Sequence, residues 1–135
     1  MKKPKGNEKR YFTVYEAVFQ RKIHILLNFV PKDYEKWLNK MKAVDVGTRD
    51  FSDFSGFSTS LDIDGKPTDW IIYVKNFDWT IENQGTLIHE IVHTIIKIWQ
   101  SNNIPYNQDT QEFLAHSIAN LYEEIARKIF YPKKR

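Results

Sequence analysis

The spacing of apolar residues in the first half of the chain predicts several strands. Residues 23–30 form a short apolar run that is β-branched near its start, which is typical of a strand. Residues 57–63 and 70–74 predict a β-hairpin joined by a polar turn. The aromatic run at 11–19 fits either a strand paired with 23–30 or a short helix. Residues 50–56 are polar and contain glycine, which predicts a loop.

Three segments predict helices. Residues 32–44 carry apolar side chains at helical spacing with charges between them, which indicates an amphipathic helix. Residues 78–100, with Asp78 as the N-cap, are apolar on nearly every side, so this helix should be buried on several sides. A last amphipathic helix is predicted from residue 109 or 110 to about residue 130.

Together these elements predict an α+β fold. A small, mostly antiparallel β-sheet should pack on the helix at 78–100 and on the C-terminal helix. The length of 135 residues and the hydrophobic content of 41% predict one folded domain, which we place at 11–131. Residues 1–10 and 132–135 are basic, and we expect disordered, solvated tails there rather than specific nucleic-acid binding.

Composition also limits the compartment and the kind of metal site. No apolar run has the length of a membrane span, and the basic start is not followed by the apolar segment of a secretory signal. We therefore expect a soluble protein with no membrane partner, and the cytoplasm is its default compartment. The chain has no cysteine, so any zinc ion must be held by histidine and carboxylate side chains.

The strongest chemical signal is the sequence His-Glu-Ile-Val-His at residues 89–93. His89 and His93 project from one helix face about one turn apart, so both imidazoles can reach one Zn²⁺. Glu90 lies beside them and can act as general base toward a zinc-activated water. These polar groups would be costly in a buried helix without partners, and a metal supplies one. Gly85, one turn earlier, should leave room above the metal face.

A third zinc ligand is expected from a different element, because catalytic zinc usually has three protein ligands and one open position. Glu112, near the start of the last helix, is the best candidate, and Asp109 is a weaker one. Residues 109–112 also resemble a capping box, in which Glu112 would accept a hydrogen bond from the backbone of Asp109 instead. The spacing leaves both roles of Glu112 open.

Two other histidines need separate interpretations. His116 follows Glu112 by four residues and lies on the same helix face. It suits a ligand in place of Glu112, a partner of a ligand, a donor to a developing oxyanion or simply an exposed polar residue. His24 lies in an apolar strand, where a structural role is expected.

The motif at residues 89–93, followed by Glu112 in Gln-Glu-Phe-Leu-Ala-His at 111–116, resembles the gluzincin branch of the zincin metallopeptidases. It is also similar to small phage and prophage proteins with a single zincin-like domain. The resemblance covers residues 86–121, and His116 stands where that pattern has tyrosine. It implies that His89, His93 and Glu112 bind zinc and that Glu90 is the general base. It also implies a minimal zincin-like domain in a bacterial or phage-infected cell.

Three functions follow from these observations. The first is a zinc metallopeptidase that hydrolyses a peptide bond in a peptide or protein, bound as an added β-strand along 57–60 or 71–74. His116 or a nearby tyrosine would then stabilise the oxyanion. The second is a zincin-fold protein that keeps zinc but acts by binding a host or phage protein. The third is a metal-free interaction protein in which the motif is accidental.

Overall fold

The fold combines five strands and three helices in the residues that the structure describes. It is a computed structural model, and it describes residues 8–45, 55–105 and 107–131. In chain order the elements are β1 (Arg10–Tyr15), β2 (Lys22–Leu27), α1 (Pro31–Met41), β3 (Ala43–Asp45), β4 (Gly56–Ile63), β5 (Lys66–Val74), α2 (Ile81–Ser101) and α3 (Gln111–Phe130). None of these helices has the length and apolar character that crossing a membrane requires.

The strands form one mixed sheet in the order β1-β2-β5-β4-β3. The β1–β2, β4–β5 and β3–β4 pairs are antiparallel, and only β2 and β5 run parallel. The predicted α+β fold with a mostly antiparallel sheet is therefore confirmed. The aromatic run that fitted a strand or a helix forms β1, which pairs with β2 along its whole length.

The sheet is covered on both faces, because alternate residues of its inner strands enter different apolar clusters. Ile23, Ile25 and Leu27 of β2 pack with α2 and α3 on one face. Leu26 of the same strand packs with α1 on the other face, in a cluster rich in aromatic residues. This arrangement fixes α2 against one face of the sheet and α1 against the opposite face.

Several predicted boundaries differ from the observed ones. Helix α2 starts later than predicted because Thr80, not Asp78, is its N-cap and accepts a hydrogen bond from Asn83 N. The Asp78 carboxylate instead accepts hydrogen bonds from Thr80 N and the Asn83 side chain. Helix α1 ends at Met41 because Lys42 adopts a left-handed conformation and the next residues form β3. Most of the predicted loop at 50–56, and residues 1–7 and 132–135 of the predicted tails, lie outside the described residues.

A chain of polar side chains centred on the buried His24 crosses the α1 face of the sheet. The Tyr11 hydroxyl lies 2.7 Å from His24 Nδ1, and His24 Nε2 lies 2.6 Å from Asp69 Oδ2. The Trp37 ring packs edge-on against both the tyrosine and the histidine. Burial lowers the pKa of His24, although its hydrogen bond to Asp69 acts in the opposite direction. A neutral ring fits this chain, since Nε2–H donates to Asp69 while Nδ1 accepts from Tyr11. This position agrees with the structural role expected from the sequence.

We expect acid to destabilise the protein through His24. Because its folded pKa lies below the unfolded value of about 6.5, its contribution is complete above that pH and is lost as the pH falls through the folded pKa. Urea titrations of the wild type and His24→Gln at several pH values from 7.5 to 5.5 test this. The difference in unfolding free energy between them should shrink toward low pH, since other titrating groups cancel. If the difference in unfolding free energy did not change with pH, the pKa of His24 would be the same in the folded and unfolded states.

Gly56, the first residue of β4, permits close contact between the sheet and α2. A Cβ atom there would lie 2.6 Å from the Tyr73 carbonyl oxygen, 3.1 Å from Thr86 Cγ2 and 3.5 Å from Glu90 Cγ. Gly85, within α2, is the opposite case, because a Cβ atom there would meet nothing within 4 Å. The lack of a side chain is thus needed at Gly56 and not at Gly85.

The two glycines should respond in opposite directions to alanine. Gly56→Ala should lower the free energy of unfolding by about 1–3 kcal/mol, as overpacking of a core does. Gly85→Ala should raise it by up to about 1 kcal/mol, because alanine is the better helix former. Chemical denaturation of both variants measures the effects. Similar stability of the two variants would contradict the lack of space for a side chain at Gly56.

Candidate metal centre

The packing of α2 against the sheet determines where its polar residues point. Leu87, Ile91, Ile95 and Ile98 are fully buried and define the inner side of the helix. At about 100° per residue, His89 and His93 lie on the opposite side, and both are exposed. Glu90 lies between these two sides and faces β4, where it is only 7% exposed.

The two imidazoles converge at the surface. His89 Nε2 and His93 Nε2 are 3.0 Å apart, and their ring planes are nearly perpendicular. In a tetrahedral site with Zn–N bonds of 2.0–2.1 Å, two ligand nitrogens would be separated by about 3.3 Å. The observed pair is therefore close to the spacing that one zinc ion requires. The same distance also suits a hydrogen bond in which one neutral ring donates to the other.

Glu90 is held in a less polar environment than its histidine neighbours. Burial raises the pKa of its carboxyl group, and electrostatic interactions with His89, His93 and Lys97 offset part of this effect. A carboxylate with a raised pKa is a stronger proton acceptor than one in free solution. The position and environment of Glu90 therefore suit proton transfer beside the histidine pair.

Two residues near Glu90 could not be assigned to this site from the sequence. Lys97 Nζ donates to the Ser58 carbonyl oxygen at 3.1 Å and so connects α2 to β4. The buried Ser58 hydroxyl has no hydrogen-bond partner within the described residues, but its proximity to Glu90 lowers the pKa of that carboxyl group. Ser58 lies about thirty positions before the motif, and only the packing of α2 on the sheet brings it to Glu90.

Glu112 and His116 form a second pair, on α3. His116 Nε2 lies 3.3 Å from Glu112 Oε1, and the two side chains are 77% and 84% exposed, respectively. His116 shares a surface groove with Ala17 and Val18, in the turn between β1 and β2. The pair therefore lies on the outer side of α3 and not against α2.

The capping role considered for Glu112 is not realised. The N-cap of α3 is Thr110, so Glu112 is the second residue of the helix and not the third. The backbone amides of Asp109 and Thr110 are instead bound by the Asn107 side chain. Glu112 is thus free of the backbone contact that competed with metal binding.

The structure also distinguishes the two strands proposed to hold a substrate. Residues 71–74 lie in β5 and pair with β2 on one side and β4 on the other, so they form no edge. Residues 57–60 lie in β4, and among the residues that the structure describes β3 pairs only with residues 61–63. The start of β4, beside Glu90, is therefore the candidate of the two.

The structure brings His89, Glu90 and His93 together and places Glu112 with His116 elsewhere. Within 8–45, 55–105 and 107–131, no three histidine or carboxylate side chains form a group that could hold a metal ion. The donors at residues 89 and 93 fit zinc in type and spacing but supply two ligands. Comparison of the chain with protein-family models, curated proteins and solved structures gives no match. The chemistry of the centre must therefore be inferred from its own side chains.

Proposed function

We propose that this protein is a zinc-dependent metallopeptidase of the gluzincin type that hydrolyses a bond in a peptide or protein. The observation that carries the proposal is the convergence of His89 and His93 nitrogens to 3.0 Å beside the buried carboxyl group of Glu90. Both histidines would hold the metal, and Glu112 is the proposed third ligand. Zinc would supply a Lewis acid that polarises the scissile carbonyl and makes water more acidic. We place this activity in the cytoplasm of a bacterial or phage-infected cell.

Each side chain then has a separate task. The exposed imidazoles leave the metal open to solvent and substrate on the outer side of α2. Glu90 accepts a proton from water and returns it to the leaving amine, for which its raised pKa is suited. A peptide lying along the start of β4 would pass close to Glu90, whose Cγ lies 3.5 Å from the position of a Cβ atom on Gly56. His116 remains a candidate for oxyanion stabilisation, although within one chain it lies on a different surface.

The arrangement also supports a second candidate, a zincin-like protein that binds a host or phage protein without cleaving it. The supporting observation is that the histidine pair has no third ligand beside it in the described part of the chain. Zinc with two protein ligands would be held weakly and would not have the three-ligand set of catalytic sites. Loss of hydrolysis on substitution of Glu90 distinguishes the two candidates.

Glu90→Gln should reduce peptide hydrolysis by at least about 100-fold, the usual contribution of a general base. Zinc content should persist, and stability at neutral pH should be unchanged or slightly higher, because burial disfavours the charged carboxylate. Cleavage of a peptide library, followed by mass spectrometry, measures the activity. Glu82→Gln, on the exposed first turn of the same helix, is the matched control and should be fully active. Unchanged cleavage by Glu90→Gln would exclude Glu90 as the base.

Zinc should stabilise the wild type and not His93→Ala. A ligand that binds only the folded state at one hundred times its dissociation constant adds about 2.7 kcal/mol to the unfolding free energy. Thermal unfolding with zinc, with magnesium and with a chelator measures the effect, and magnesium is the control because imidazole suits zinc better. No zinc-dependent shift in the wild type would support the metal-free interpretation of the motif.

A further inference from the structure

We propose that the zinc site is completed by a second copy of this chain, whose Glu112 joins His89 and His93 of the first. The inference rests on the proposed function, since it concerns the ligands of the same metal. The partner would be a second copy of the chain, related by a twofold axis, and each dimer would hold two zinc ions.

The orientation of α3 prevents Glu112 from meeting the histidine pair within one chain. Leu114 and Leu121 are buried in the core that α3 shares with α2. Glu112 lies about 200° around the helix from Leu114 and is 84% exposed. Rolling α3 far enough to turn Glu112 inward would expose both leucines and bury the polar side chains of Glu112 and His116. The core therefore holds the predicted third ligand on the outside of the molecule.

The two exposed pairs are complementary halves of one ligand set. His89 and His93 supply two nitrogens 3.0 Å apart, and Glu112 supplies a carboxylate with His116 Nε2 3.3 Å from one oxygen. Two histidines and a glutamate make a three-ligand zinc site that keeps one position open for water or substrate. In this arrangement His116 would hydrogen-bond to the Glu112 carboxylate and orient it without binding the metal itself, as partners of ligating carboxylates commonly do.

The surfaces around the two pairs suit contact between copies. Ile88, next to His89, is 42% exposed, and Phe113, next to Glu112, is 66% exposed. Small residues lie beside both pairs and would permit close approach of the helices: Gly85 on α2, and Ala115 and Ala119 on α3. Because each copy carries both halves, a twofold dimer would bury the same surface twice and form two zinc sites.

Complementation between two variants tests this arrangement. The first is Glu112→Ala, which keeps the histidine pair, and the second is His89→Ala/His93→Ala, which keeps Glu112. All three positions are exposed on helices, where alanine is well tolerated, and circular dichroism checks the fold of each variant. Light scattering coupled to gel filtration gives the mass, and metal analysis of the eluted protein gives the zinc content.

Wild-type protein with zinc should have twice the 16.1 kDa mass of the chain and carry one zinc per chain, and a chelator should return it to the monomer. Each variant alone should stay monomeric with little zinc. Their equimolar mixture should recover a dimer with one zinc per two chains, since only the mixed dimer has a complete site. Glu123→Ala, further along the same outer side of α3, is the control and should behave as the wild type.

The contrary outcomes separate this inference from the function on which it rests. A wild type that binds zinc as a monomer, with no recovery on mixing, would overturn the shared site and leave the peptidase proposal standing. The same conclusion would follow if Glu112→Ala alone kept its zinc and its dimer. A wild type that binds no zinc would overturn both.

Discussion

The packing of α2 on the sheet is the constraint on which the candidate centre depends. Four fully buried aliphatic residues, Leu87, Ile91, Ile95 and Ile98, set the rotation of this helix. Given that rotation, the two histidines must lie outside and Glu90 must face β4. Gly56 of that strand lies beside Glu90, since a Cβ atom on it would be 3.5 Å from Glu90 Cγ, and Glu90 is only 7% exposed. The buried apolar stripe of α2 thus places His89 at the surface and the neighbouring carboxyl group of Glu90 against β4.

Much of the fold was predictable because the periodicity of the chain is local information. The strand at β2, the β4–β5 hairpin and all three helices follow from patterns within single segments. The boundaries were less accurate, since they depend on which side chain caps a helix first, as Thr80 does in place of Asp78. The parallel pairing of β2 with β5 could not be predicted, because the two strands are far apart in sequence. The residue pattern of a strand does not indicate which other strand it pairs with.

The candidate site, like the fold, could be predicted from the sequence only in part. The meeting of His89 and His93 follows from helical spacing, and the proximity of Glu90 follows from its place between them. The environment of Glu90 does not, because Ser58 and Gly56 reach it only through the packing of β4 on α2. The position of Glu112 depends on which side of α3 is buried. Leu114, two residues later, decides that side, and the motif alone contains no information about it.

Neither His89 nor His93 belongs to the two apolar clusters on the faces of the sheet. The core of this protein is therefore closed by aliphatic and aromatic side chains without help from a metal, unlike small domains that are unfolded until zinc binds. Loss of a metal from the outer side of α2 would therefore leave both apolar clusters intact.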